Sequence, residues 1–148
     1  MQPTVLVECA RIWYNGRIAM KLLLNMGIVA AGGGAGAMAR YALSLALQRA
    51  SLTMPLGTLA ANWSGCFIMG VLAAVIGREL PLSPSMRLLL ATGFCGGLTT
   101  FSTFMYELHR LASAREMFYG VMYFLASFAG SAVAFLLGLL VLELMVQK

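Results

Sequence analysis

The stretch Gly93-Phe94-Cys95-Gly96-Gly97-Leu98-Thr99-Thr100-Phe101-Ser102-Thr103-Phe104 decides how this chain folds. It lies in the middle of the third of four apolar segments. Three glycines within five residues, followed by a Thr-Thr pair, hold a regular helix poorly. Glycine costs about 1 kcal/mol per helical position, and threonine also prefers other states. Apolar sequence nevertheless continues on both sides, which predicts a span whose helix is broken inside the bilayer. Non-helical backbone survives in hydrocarbon only where protein or trapped water satisfies its N–H and C=O groups. The break therefore needs a partner: a second copy of the chain, an ion, or both.

Composition agrees with a membrane setting. The chain has 148 residues, of which 61% are hydrophobic and 10% charged, with a mean hydropathy of +0.87. Soluble domains carry about 45–50% apolar and about 25% charged residues. The sequence predicts an all-α membrane protein with spans at 22–48, 57–77, 86–108 and 117–146, forming one domain over 21–148 with no room for a second. The net charge of +5 is dispersed, which argues against nucleic acid and for lipid headgroup contacts. Cys9, Cys66 and Cys95 lack metal-ligand spacing and His109 is the single histidine, so no transition-metal site is expected. No nucleophile with a base and no nucleotide-binding loop is present; neither catalysis nor ATP coupling is expected.

Residues 1–20 mix Glu8, Arg11 and Arg17 into short apolar runs and read as a mobile or interfacial extension, with Met20-Lys21 resembling a natural start. A signal peptide is disfavoured, because the apolar run continues past the small residues at 30–37 and cleavage there would destroy a span.

The first span centres on Gly32-Gly33-Gly34-Ala35-Gly36-Ala37, a density of small residues that lets another helix approach closely. Arg40 has two readings: facing a water-filled cavity, or snorkelling to the headgroups. In the second span, Asn62 either glues two helices or donates to an anion losing its water, while Trp63 faces lipid or a neighbouring helix. Ser83 or Ser85 caps the third segment. Phe101 and Phe104 share a helical face that Glu107 continues, with core packing as the plain alternative. In the fourth span Tyr123, Ser127 and Ser131, with Tyr119 before them, recur every four residues as a hydroxyl stripe.

With four spans, the loop after span two shares a side with both termini. From Lys21 onward that side holds Lys21, Arg78, Arg87 and Lys148; the other holds Arg49, Arg110 and Arg115, with Arg40 near it. Counted this way the positive-inside bias is nearly absent, so two oppositely oriented copies could pair about a two-fold axis in the membrane plane; Arg11 and Arg17 of the extension, when counted, tilt it toward the side of the termini.

Three motifs in order then carry a resemblance: Gly32–Ala37 with Arg40-Tyr41, Gly57-Thr58-Leu59 with Asn62 and Gly65, and the opening stretch from Gly93 to Phe104. The chain resembles the CrcB/Fluc family of fluoride channels from Met20 to Val146. The resemblance implies an antiparallel dual-topology homodimer in the cell inner membrane, with two fluoride pores lined by both copies. It also implies a structural sodium ion held by the carbonyls of Gly96 and Thr99 from each copy. The pore residues it implies are Asn62, Phe101 and Phe104, with Tyr123, Ser127 and Ser131 along a polar track, Thr58 and Glu107 as further candidates, and Arg40 at a vestibule. The function it implies is passive, electrogenic fluoride efflux that confers fluoride resistance. The rivals are a four-span proton-coupled exporter, which needs a carboxylate deep in the membrane, and a non-transporting assembly subunit.

Overall fold

The computed structural model describes residues 3–50 and 53–146, with side chains at 16–50 and 53–145. The described residues form helices α1 (Pro3–Leu47), α2 (Leu56–Gly77), α3 (Pro84–Arg87), a π-helix (Leu88–Cys95), α4 (Gly96–Leu98), α5 (Phe101–Ser113) and α6 (Met117–Val146). Four stretches are long and apolar enough to cross a membrane: Gly16–Leu47, Leu56–Gly77, Pro84–Ser113 and Met117–Met145. The chain is a multi-pass, all-helical membrane protein. The third of these stretches takes in all of α3, the π-helix, α4 and α5. Helix α1 continues back to Pro3 without interruption. The side chains of 3–15, on which the reading of that segment as mobile or interfacial depends, lie outside the described residues.

Local sequence sets the other boundaries. Ser83 caps α3, its hydroxyl accepting the Met86 N–H at 3.2 Å, with Pro84 in the first helical turn. Helices α2 and α5 both end in the same motif. Leu80 N–H reaches the Val75 carbonyl past Glu79, and Glu116 N–H reaches the Leu111 carbonyl past Arg115. Glu79 and Arg115 take left-handed φ values of 54° and 61°, where glycine is usual.

The break in the third span is narrower than the glycine content suggests. Gly96 and Gly97 are helical, and only Thr99 (φ −82°, ψ 153°) and Thr100 (φ −151°, ψ 122°) are extended. Threonine supplies the break because its hydroxyl restarts the helix: Thr100 Oγ1 accepts from Thr103 N–H at 3.2 Å. The glycines serve close approach instead. A Cβ at Gly32 would meet the Leu89 carbonyl, one at Gly36 the Phe94 carbonyl, and one at Gly97 the Gly33 carbonyl. Helix α1 thus lies backbone to backbone on the π-helix and α4.

The most extensive pairing in the bundle is α2 with α6. It too is set by small residues: Gly70 abuts the Phe135 carbonyl and Gly138 the Phe67 carbonyl. Trp63 lies over Gly130 and donates its indole N–H to the Ala126 carbonyl at 3.0 Å, so it faces the neighbouring helix. Arg78 and Glu143, 3.8 Å apart, put the C-terminal ends of α2 and α6 on one side.

Candidate ion pathway

Helix α2 carries Asn62 to the break. Its Nδ2 donates to the Thr100 carbonyl at 3.2 Å, and its Oδ1 accepts from the Thr100 N–H at 2.8 Å. One side chain therefore satisfies both backbone groups of one unwound residue, as the low-dielectric setting requires. Beside it, Thr99 fits over Gly65, where a Cβ would collide with the threonine methyl.

Next to this clamp lies a cavity of about 290 Å³ lined by Asn62, Cys66, Thr99, Thr100, Phe101, Phe104, Ser127, Phe128 and Ser131. Five of the implied pore residues meet here, Asn62, Phe101, Phe104, Ser127 and Ser131, together with Thr99. Ser127 is 7% exposed, and its hydroxyl oxygen is buried with no hydrogen-bond partner. Such a group costs free energy unless a ligand or water engages it.

Phe104, 2% exposed, is the hub of the aromatic contacts. Its ring centroid lies 5.7 Å from Phe101, 5.2 Å from Tyr123, 6.3 Å from Phe124 and 6.0 Å from Phe128, the last edge to face at 78°. Phe124 and Phe128 were missed in the sequence reading. They are four residues apart and Ser131 follows at the next three, so the spacing that revealed the hydroxyl stripe could have found them. Phe101 differs from Phe104 in being 67% exposed on the single chain.

Beyond Phe104 the polar side chains close on one another. Tyr123 donates its hydroxyl to Glu107 Oε2 at 2.6 Å, and Thr58 donates to Glu107 Oε1 at 2.9 Å. Glu107 is thus engaged on both oxygens rather than simply solvated. Thr58 and Glu107 also line a second, wider cavity of about 440 Å³, together with Ser44, Gln48 and Arg110. Tyr119 stays outside this arrangement, 40% exposed and packed on Phe118. Ser64 turns to its own helix, bonding the Ala60 carbonyl at 2.7 Å. Arg40 lies one turn before Ser44 on α1, half-buried, with its Nε buried and without a hydrogen-bond partner.

Comparison with known proteins agrees with the three sequence motifs. A family model described as "CrcB-like protein, Camphor Resistance (CrcB)" matches residues 27–139. The chain belongs to the CrcB-like family. Similar proteins include the "Fluoride-specific ion channel FluC" of Chlorobium phaeobacteroides (strain BS1), 44% identical over 112 residues that cover 76% of this chain and 88% of that one. The protein of the same name from Chlorobaculum tepidum is 41% identical over 123 residues, covering 83% and 98%. That of Acidobacterium capsulatum is 43% identical over 114 residues, covering 76% and 91%. These relatives are named as channels, not enzymes, and the resemblance read from the sequence is borne out.

In this CrcB-like chain, the two residues implied for sodium, Gly96 and Thr99, stand at the start of α4 and just past its end. A continuous helix would give the Gly96 carbonyl the Thr100 N–H and the Thr99 carbonyl the Thr103 N–H. Both donors go elsewhere, to Asn62 Oδ1 and to Thr100 Oγ1. The two carbonyls are left as hard oxygen donors, the kind an alkali cation takes. Gly96 also faces open space, with nothing within 4 Å of the position a Cβ would hold.

Proposed function

We propose that this chain forms a fluoride channel of the cell inner membrane, passing fluoride passively and electrogenically out of the cytoplasm and so conferring fluoride resistance. The observation that carries the reading is the cavity at the break. There a buried, unpartnered Ser127 hydroxyl faces the same space as the Phe101, Phe104 and Phe128 rings. Fluoride holds water tightly, so a path for it must replace that water with donors while staying loose enough to release the ion. Ser127, Ser131 and the second Nδ2 hydrogen of Asn62 are donors, and phenyl edges offer partial positive charge without the grip of a buried cation.

Past Phe104, fluoride would take over the hydroxyls of Tyr123 and Thr58, which otherwise donate to Glu107. A carboxylate accepting the same protons competes with the anion and hastens its departure toward the wider cavity and Arg110. The positive charge of Arg40 near that mouth favours anion entry.

The working unit we propose is an antiparallel dual-topology homodimer with a structural sodium ion held by the Gly96 and Thr99 carbonyls of both copies. Three features support it: the near-absent charge bias, the open face at Gly96, and the exposure of Phe101, which a second copy would cover to complete the pore wall. Two helix breaks meeting at a two-fold axis bring partial negative charges together, and a cation between them removes the repulsion.

The test is fluoride release from liposomes holding the purified chain, read with a fluoride electrode. Rapid release of fluoride but not chloride, stalled until a potassium ionophore balances charge, is expected. Release driven by a proton gradient without the ionophore would favour a coupled exporter. No release would favour an assembly subunit.

A further inference from the structure

The break in the third span is held by a side chain from another helix, and that has a consequence for the cation. In a helix continued from α4, Thr100 N–H would bond the Gly96 carbonyl. Here the carbonyl of Cys95, the last residue of the π-helix, is the last before the break to be served: the Thr99 N–H reaches it at 3.0 Å and the Thr99 hydroxyl at 2.9 Å. The next donor, Thr100 N–H, is drawn to Asn62 Oδ1 at 2.8 Å, while Asn62 Nδ2 holds the Thr100 carbonyl at 3.2 Å. The amide is matched to this task because it accepts and donates from one planar group.

We infer that Asn62 is the positioning residue of the cation site: by diverting the Thr100 N–H, it keeps the Gly96 carbonyl free to act as a ligand. Its role toward fluoride and its role toward the cation are then joined, since the same amide borders the cavity and clamps the break. With Asn62→Ala, Thr100 N–H has no partner in the membrane interior, where an unpaired donor is costly. The nearest remedy is to extend α4 by one bond onto the Gly96 carbonyl, which takes that oxygen from the cation. Asn62→Asp keeps an acceptor for Thr100 N–H and loses the donor to the Thr100 carbonyl, so the break stays open at Gly96.

This rests on the sodium reading above, and the experiment separates the two. Sodium binding to the purified protein in detergent would be measured by equilibrium dialysis with radioactive sodium. The same proteins would be scored for fluoride flux, and for exchange of the Thr100 amide proton by NMR. Wild type should bind sodium, Asn62→Ala should bind about tenfold more weakly, the factor an exchanged hydrogen bond is worth, and Asn62→Asp should bind within about threefold of wild type although its flux falls. A simple loss of packing would not divide Ala from Asp in this way. Equal sodium affinity in wild type and Asn62→Ala overturns the inference and leaves the sodium site standing. Absence of sodium binding in wild type removes the site itself and the inference with it. Should Asn62→Ala fail to fold, a tenfold loss in Asn62→Asp would overturn the inference alone.

Discussion

The third span meets its neighbours in two different ways on either side of Thr99-Thr100. Before the break, the π-helix and α4 lie on α1 with backbones in contact, glycine to glycine, and no space between them. After it, α5 meets α6 through large rings and hydroxyls, and a cavity of about 290 Å³ remains. Backbone contact leaves nothing to adjust, whereas rings held at centroid distances of 5.2–6.3 Å around Phe104 bridge a gap without filling it. On the proposed function, one half is a frame and the other a passage.

The sharpest way to break this comparison is to put a methyl group into the frame. Gly97→Ala directs a Cβ into the Gly33 carbonyl and should cost well over the roughly 1–3 kcal/mol of ordinary overpacking. Little monodisperse protein is expected on size exclusion. Gly96→Ala, one residue away, meets nothing in the single chain, so the chain should fold but no longer pair. Equal yields of dimer from both variants would mean that the two glycines do not differ in role.

In the passage, effects should fall on flux rather than on assembly. Phe104→Ile and Phe101→Ile should each slow fluoride efflux about tenfold or more, as expected when edge contacts worth about 0.5–1.5 kcal/mol apiece are lost in number. Phe104→Ile should also lower the thermal midpoint, because Phe104 is buried within the chain itself. Unaltered flux in both would remove the aromatic-edge account. Ser127→Ala should separate the two properties further: flux falls, while stability rises by about 1 kcal/mol as an unpartnered buried hydroxyl is removed. Ser64→Ala, whose hydroxyl serves its own helix, should change neither.

A small effect on stability alone is expected outside both halves. Arg115→Gly relieves a left-handed residue at the end of α5 and should raise stability by about 1 kcal/mol without altering flux. A lower melting temperature would show that the arginine side chain matters more than its backbone strain.

Much of this was legible because it depends on spacing. The hydroxyl stripe of α6 and the Phe101/Phe104 pair follow from helical periodicity, and the structure brings Tyr123, Ser127, Phe101 and Phe104 to one side of the bundle. The glycines were legible as signs of close approach, but their use in the third span was not. Gly96 and Gly97 read as helix breakers and turn out helical; at Gly97, backbone contact with Gly33 of α1 outweighs a propensity cost of about 1 kcal/mol. Cys66 on the cavity wall was missed, since an apolar residue off that stripe carries no mark of which cavity it borders.

Residue type and interval along the chain were enough for four apolar spans, an interruption in the third, the spread of charge between the two sides and the family motifs. The tertiary structure decided which groups satisfy one another: Asn62 with both backbone groups of Thr100, and Thr58 and Tyr123 with the two oxygens of Glu107. Those pairings join residues separated by 16 to 49 positions, and no local interval encodes them. They arise because buried polar groups must find partners wherever the packing of glycine-lined helices brings them within reach.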